Sequence, residues 1–309
     1  DWSSDVCSSD LYGDMDMAEK LDFIDKHYLA DFDALKVDSE IQTEPWEEWQ
    51  SQESDQAGET LTGAGNSVAV GGAGGKSRII VKEYPLNEGE SAEENTYFSV
   101  NYSVGESTDN ELCMAFEILD YALCSAPGAP LKQTLVDRGI GKDVYSIWDG
   151  GIKQPYFSVI AKGTSLDKQQ AFLDTVQEVL QRIAEEGFDE KALRAALNYY
   201  EFKYREADFG SYPKGLMYGL QMMDSWLYDE SKPFVHIELL DVFARLKENV
   251  KTGYFEKLIR KYLLDNRHRS VVILKPVEGL LAKKEQELAD QLAQKKAAMS
   301  VEEIRQIME

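Results

Sequence analysis

Between residues 78 and 274 the apolar side chains recur with two different periods, and the order of those periods limits the chain to a mixed layer of strands and helices. Residues 78–84 and 96–104 carry strand spacing. Residues 110–124 switch to helical spacing, with Leu112, Ala115, Phe116, Leu119 and Leu123 on one face. A turn at 125–130, rich in Pro and Gly, leads into a short helix that ends at Gly139. Strand spacing returns at 144–148 and 156–161. Two long helices follow, one lined by Phe172, Val176, Val179, Leu180 and Ile183, the next by Leu193, Ala196, Leu197, Tyr200 and Tyr204. Further helices are predicted near 213–228, 236–248 and 253–264. Residues 270–274 form a last apolar strand, which Pro276 is expected to stop. Strands and helices do not alternate strictly, so the pattern predicts an α+β fold rather than a doubly wound sheet. From Leu280 the chain is helical but charged, with Leu281, Leu288 and Leu292 as its sparse apolar positions. That composition suits a connector helix on the C-terminal side of the fold.

The regions outside this block read differently. The run Asp-Trp-Ser-Ser-Asp-Val-Cys-Ser-Ser-Asp-Leu at residues 1–11 matches the in-frame translation of a common short-read sequencing adapter. It is expected to be an artefact and is set aside from the folding argument. Residues 12–35 read as the end of a strand and a helix. Asp16 and Glu19 form its capping pair, and Leu21, Ile24, Tyr28 and Phe32 form its apolar stripe. Residues 38–78 are acidic at first and Gly-rich over 63–75, without periodicity, which predicts a linker. At the other end Ser300 and Glu303 form a capping box, with Met299 and Ile304 placed as a hydrophobic staple, so another helix begins there.

The formal net charge is −23, from 56 acidic and 33 basic side chains. Such a balance argues against nucleic acid as a partner; it would suit a basic peptide through electrostatic steering, but on charge alone the chain reads first as an ordinary acidic soluble protein. No stretch is expected to reach the roughly 20 apolar residues of a membrane span. Outside residues 1–11 the cysteines are Cys113 and Cys124, predicted to be two buried thiols rather than a disulfide.

Motifs with chemistry are scarce. Gly75-Lys76-Ser77 ends like a phosphate loop, but Val70 stands where the first glycine of G-x-x-x-x-G-K-[ST] belongs, and a strand follows instead of a helix. The histidines are His27, His236 and His268. None is three or four residues from another, so no H-E-x-x-H or H-x-x-E-H helix can present two imidazoles to a metal from one face. There is no C-x-x-C pair and no G-x-S-x-G elbow. One triplet remains: Glu117, Asp120 and Tyr121 stand at i, i+3 and i+4 on what is expected to be the exposed side of their helix. Those are the offsets of H-x-x-E-H. As residues alone they read as a solvated polar face.

Several segments together resemble a known family. They are 154–159 (QPYFSV), 185–189 (EEGFD), 195–202 (AALNYYEF), 205–207 (REA) and 262–269 (YLLDNRHR). They are similar to the second domain of presequence proteases, zinc metallopeptidases of the pitrilysin/insulinase superfamily (subfamily C of peptidase family M16). Residues 12–16 (YGDMD) and 21–25 (LDFID) resemble the close of that family's first domain. The resemblance breaks over about residues 50–78, where the Gly-rich piece looks like an insertion.

The resemblance implies a pitrilysin/insulinase-like (LuxS/metallopeptidase-like) sandwich of a mixed sheet with helices on one face. It places residues 12–42 at the end of a catalytic first domain, 43–78 in a linker, 79–276 in a non-catalytic second domain, and 277–309 at the start of a helical hairpin. The family's inverted zinc motif and its downstream Glu ligand lie in the first domain, so no catalytic, cofactor-binding or metal residue is carried over to this chain. Because the domains share a fold, Glu117, Asp120 and Tyr121 acquire a second meaning as a vestige of the zinc helix.

The implied function is the non-catalytic portion of a zinc-dependent endopeptidase that degrades short unfolded peptides in a closed chamber. Zinc belongs to the parent and is not expected on this piece. The implied partners are unfolded peptide, the zinc domain and the C-terminal half of the same chain, with no nucleic acid and no membrane. The implied compartment is cytoplasmic for a bacterial parent, mitochondrial or plastid for a eukaryotic one. The alternatives are a non-catalytic subunit of the same superfamily and a scaffold or binding protein.

Overall fold

The computed structural model describes residues 16–33, 40–43, 67–72, 75–87, 89–207 and 209–308. A six-stranded mixed sheet organises the fold. Its strands are β1 (Ser67–Gly72), β2 (Gly75–Pro85), β3 (Thr96–Ser103), β4 (Asp143–Asp149), β5 (Tyr156–Thr164) and β6 (Arg269–Val277), in spatial order β1-β2-β6-β3-β5-β4. β2 and β6 run parallel, and every other neighbouring pair is antiparallel. The helices are α1 (Met17–Ile24), α2 (Asn110–Asp120), α3 (Pro130–Asp137), α4 (Gln169–Glu186), α5 (Glu190–Glu206), α6 (Lys214–Trp226), α7 (Leu240–Asn249), α8 (Tyr254–Ile259), α9 (Leu280–Ala298) and α10 (Val301–Met308).

The strand register explains which side chains are inside. Phe98, Val100 and Tyr102 of β3 stand opposite Ala161, Val159 and Phe157 of β5, and all six are buried. Alternation then sends Tyr97, Ser99 and Asn101 to the other face. There Ser158 donates to Asn101 Oδ1 at 2.6 Å, and Asn101 Nδ2 reaches the Ser270 carbonyl at 3.4 Å. The first face packs on α2, α4 and the α8 region through Phe116, Phe172 and Phe255, each fully buried. Burying each such ring contributes about 1.5–3 kcal/mol, an upper figure because the unfolded chain already hides part of that surface.

Local chemistry sets the helix ends. Asp109 Oδ1 accepts from the Leu112 amide at 3.0 Å and starts α2. The helix widens into a π-helical turn over Tyr121–Ser125 before Pro130 opens α3 at a position where its missing N–H costs nothing. Asp189 caps α5 through the Lys191 amide at 2.9 Å. The Ser300–Glu303 box forms as the sequence predicts: Ser300 N donates to Glu303 Oε2 at 2.8 Å, and Glu303 N to Ser300 Oγ at 3.3 Å. Cys113 and Cys124 are free and buried, and burial pushes both thiols up to about 12.

In its strands and apolar stretches the structure departs from the sequence reading in three places. Residues 67–72, inside the stretch expected to be a linker, pair antiparallel with β2 from Ser67↔Ile80 to Gly72↔Gly75. The open side of β2 offers unpaired backbone groups, and this short run satisfies them. Strand β6 continues through Pro276 to Val277. Its pairing with β3 ends at Tyr97↔Leu274, so beyond Leu274 only β2 needs hydrogen bonds and a proline is tolerated. Finally, one stretch does match a membrane span by length and composition: Asn110–Asp137 contains a window of mean hydropathy 1.2. Over half of that window, 56%, is buried inside the fold, and its apolar side chains belong to the core.

Candidate functional site

Helix α2 sits between the sheet and a second helical layer made by α5 and α7, which explains its wide apolar arc. Leu112, Ala115, Phe116 and Leu119 are buried, and so are Cys113 and Ile118. The polar triplet therefore does not face open solvent as the sequence reading expects. Glu117, Asp120 and Tyr121 are half-buried. The Tyr121 ring stacks on Tyr199 of α5 at 5.2 Å and meets Tyr200 edge-on at 6.1 Å.

The two carboxyls of the triplet have different surroundings. Burial raises Glu117 above the usual carboxylate range, and the charge of Asp120 adds to the effect. A hydrogen bond from Tyr200 and the Lys203 ammonium oppose it. Burial likewise raises Asp120, against a hydrogen bond from Ser146 of β4. Asp120 Oδ1 is enclosed without a hydrogen-bond partner. Tyr200 is raised in turn by burial and by both carboxylates, so it stays a protonated donor at neutral pH.

A cavity of about 370 Å³ opens beside this face, between α2, α5 and α6. Glu117, Tyr200 and Lys203 line one part of it, and Trp148, Gly151 and Asp224 another. Trp148 is held by stacking on Phe116 at 5.1 Å. His236 also borders the cavity, with Nε2 2.7 Å from the Ser107 carbonyl; burial lowers its pKa, against that bond. Asp224 is pushed up to about 6, first by burial and then by the charge of Asp149. Asp224 and Asp149 were not singled out by the sequence, which named His236 only as one of three histidines without a partner at helical spacing. Asp224 lies at helical spacing among Met217, Tyr218 and Gln221, a pattern that marks one face but does not say what the face encloses.

The arrangement lacks a metal-binding constellation. Among the described residues no three His, Cys, Asp or Glu side chains come together as a group that could hold a metal ion. His27 lies against Phe23 at 4.4 Å on α1's π-helical extension, far in sequence from the other two. The site can hold protons on carboxyls and phenols and can accept hydrogen bonds from a ligand. Neither Cys113 nor Cys124 is an activated nucleophile, since burial raises both thiols.

Known proteins share this architecture. The profile of the family described as the peptidase M16 inactive domain matches residues 10–200. The chain is 35% identical over 299 residues to Protein HypA of Clostridium perfringens, covering 97% of this chain and 28% of that protein. It is 30% identical over 233 residues to presequence protease 1, chloroplastic/mitochondrial, of Arabidopsis thaliana, covering 74% and 22%. Among solved structures it is similar to a protease from Helicobacter pylori, with a TM-score of 0.52 at 13% identity, covering 85% of this chain and 54% of that one. The chain thus spans about a quarter of the length of these curated relatives.

Proposed function

The chain belongs to the peptidase M16 inactive-domain family, and on that premise we propose that it is a non-catalytic wall of a zinc-dependent endopeptidase that degrades short unfolded peptides in a closed chamber. The observation that carries the reading is the outer face of α2. Glu117, Asp120 and Tyr121 hold the i, i+3, i+4 offsets of an inverted zinc helix, and neither imidazole position carries a histidine. In this reading they are the vestige of that helix. Tyr200 and Lys203 of α5 now occupy Glu117, and Tyr121 is stacked on Tyr199.

Zinc in the parent would be held by an upstream domain, where it would activate a water for attack on the peptide bond. Residues 12–42 belong to the end of that domain, the residues from 43 to 66 to the connection, 67–276 to the non-catalytic domain, whose sheet includes β1 and β2, and 277–309 to a helical hairpin leading to the second half. The exposed apolar residues of α1 and the segment after it, with Leu21, Tyr28 and Phe32 all more than half accessible, support a partner layer outside this chain. The compartment follows the parent: cytoplasmic in a bacterium, mitochondrial or plastid in a eukaryote.

The test is a longer frame. This chain should show no cleavage of an unstructured peptide by itself. Joined to a domain bearing H-x-x-E-H and to the second half, it should contribute to chelator-sensitive cleavage. A longer frame without that motif would overturn the peptidase reading and favour a non-catalytic subunit or scaffold.

A further inference from the structure

Two cavities meet at Phe209. The inner one is the cavity of about 370 Å³ beside α2. The outer one, of about 340 Å³, lies between the end of α5 and the start of α6, and Phe209 lines both. Most polar groups of the inner cavity already have partners. Glu117 has the Tyr200 hydroxyl and the Lys203 ammonium, and His236 has the Ser107 carbonyl. Asn110 Nδ2 donates to the Val235 carbonyl at 2.8 Å. Asp224, which forms neither an ion pair nor a hydrogen bond among the described residues, lies against Gly151.

What remains is the apolar lining. Met114 of α2, Tyr200 and Tyr204 of α5, Phe209, and Met217 and Tyr218 of α6 all line the inner cavity and are only half-buried. The walls differ in rigidity. On α5, Tyr200 is held by Glu117. The Tyr204 hydroxyl donates to the Ile237 carbonyl and accepts the Leu239 N–H at 3.2 Å. Helix α6 buries only Ser225, whose hydroxyl donates to the Lys232 carbonyl at 2.6 Å. Its first turns are held by Lys214 on the Glu206 carbonyl at 3.2 Å and by Tyr218, edge-on to Phe209 at 5.4 Å. A fixed aromatic wall thus faces one with few buried contacts, which can yield.

Rings and thioethers favour an aromatic guest over an aliphatic one. Ring–ring contacts add to the area term, and a methionine sulfur adds a contact at a ring edge. The inner cavity has the room, since an apolar cavity of about 150 Å³ already holds benzene. The outer cavity is bordered by Phe202 and Tyr212, which are 63% and 65% exposed. Two large rings left that open beside one cavity form an apolar contact surface.

We propose that the inner cavity receives an aromatic side chain of an unfolded peptide, and that the peptide runs on across Phe209 so that its neighbouring residue rests on Phe202 and Tyr212. The proposal rests on the reading of the chain as a wall that meets unfolded peptide, and it adds the side-chain class that this wall selects.

The experiment is calorimetric titration of the 309-residue chain with two short Gly/Ser peptides. One carries a Phe-Leu pair; in its twin cyclohexylalanine replaces phenylalanine, as large and as apolar but without a π face. The phenylalanine peptide should bind at least about threefold more tightly, the ratio that ring–ring geometry supports beyond area. N-acetylphenylalanine amide, a ring without a chain, should bind more weakly than the peptide. Met217→Trp, which fills the inner cavity, should abolish binding of the peptide, with a thermal melt to show that the fold is kept. Tyr218→Leu should reduce the preference between the twins. Phe202→Ala should weaken the peptide and leave the amide unchanged. Leu166→Ala, an exposed apolar residue outside both cavities, should change nothing. Equal or reversed affinity of the twins, no binding of either, undiminished binding by a folded Met217→Trp, or an amide as tight as the peptide would overturn the proposal. Because binding to this chain alone is read, those results leave the peptidase reading to stand or fall on zinc-dependent cleavage by the longer frame.

Discussion

Asp224 seats its Oδ1 where a side chain at residue 151 would begin, 2.9 Å from a β-carbon built on Gly151. The contact is with the tip of a short side chain, which can rotate away. Gly151→Ala should therefore cost little stability, under about 1 kcal/mol in urea unfolding, well below the overpacking of a rigid core. It should still displace Asp224. A large loss of stability would show that the Asp224 carboxylate is held more rigidly than its lack of partners implies.

Asp224 also makes stability depend on pH. Its folded pKa of about 6 stands above the ordinary value of 3.8, raised by burial and by Asp149. Such a group favours the folded state when protonated. The stabilisation is full below the unfolded value and is lost as pH rises through the folded one, so the window runs from about 4 to about 6. Asp224→Asn should thus melt higher than the parent at pH 7, by about 1 kcal/mol after allowance for solvent screening, and about equally at pH 3.5. Thermal melts at the two pH values check this. A variant less stable at pH 7 would contradict the sign.

The core prediction concerns Phe116. Its ring is fully buried and meets Trp148 at 5.1 Å, Tyr262 at 5.8 Å and Phe157 at 6.1 Å. Phe116→Ala should cost about 3–5 kcal/mol by denaturant unfolding, and should loosen Trp148, with a red shift of its fluorescence. A loss below about 1 kcal/mol would mean that the α2–sheet interface closes over the gap.

The proposal that Glu117, Asp120 and Tyr121 are a vestige can be tested by substitution. Glu117→His with Tyr121→His and Asp120→Glu writes H-x-x-E-H at residues 117–121. Two imidazoles at i and i+4 should then bind zinc weakly, short of the three protein ligands of a catalytic site. A rise in melting temperature with added zinc, absent from the parent chain, is the expected result. No response would show that the aromatic pair Tyr199 and Tyr200 blocks that face.

What was legible in the sequence was whatever a single face could report. The periodic residues Leu112, Phe116 and Leu119, or Phe172, Val176 and Leu180, place their helices on the sheet, and all six are buried. What lay on the opposite face was not legible, because it depends on contacts between elements distant in sequence. Glu117 looks solvated until α5, some eighty residues on, brings Tyr200 against it. Asp149 and Asp224 look like ordinary surface acids, and only the fold sets them on either side of Gly151. Pro276 reads as a strand end because the sequence cannot tell that β3 has already stopped pairing at Leu274.

The central claim is that this chain shapes a peptidase without supplying its chemistry. Metal analysis of the purified chain after dialysis, run beside cleavage of an unstructured basic peptide, tests it most directly. The account predicts no stoichiometric zinc and no cleavage above background. One zinc per chain, or cleavage by the chain alone that a chelator abolishes, would contradict it.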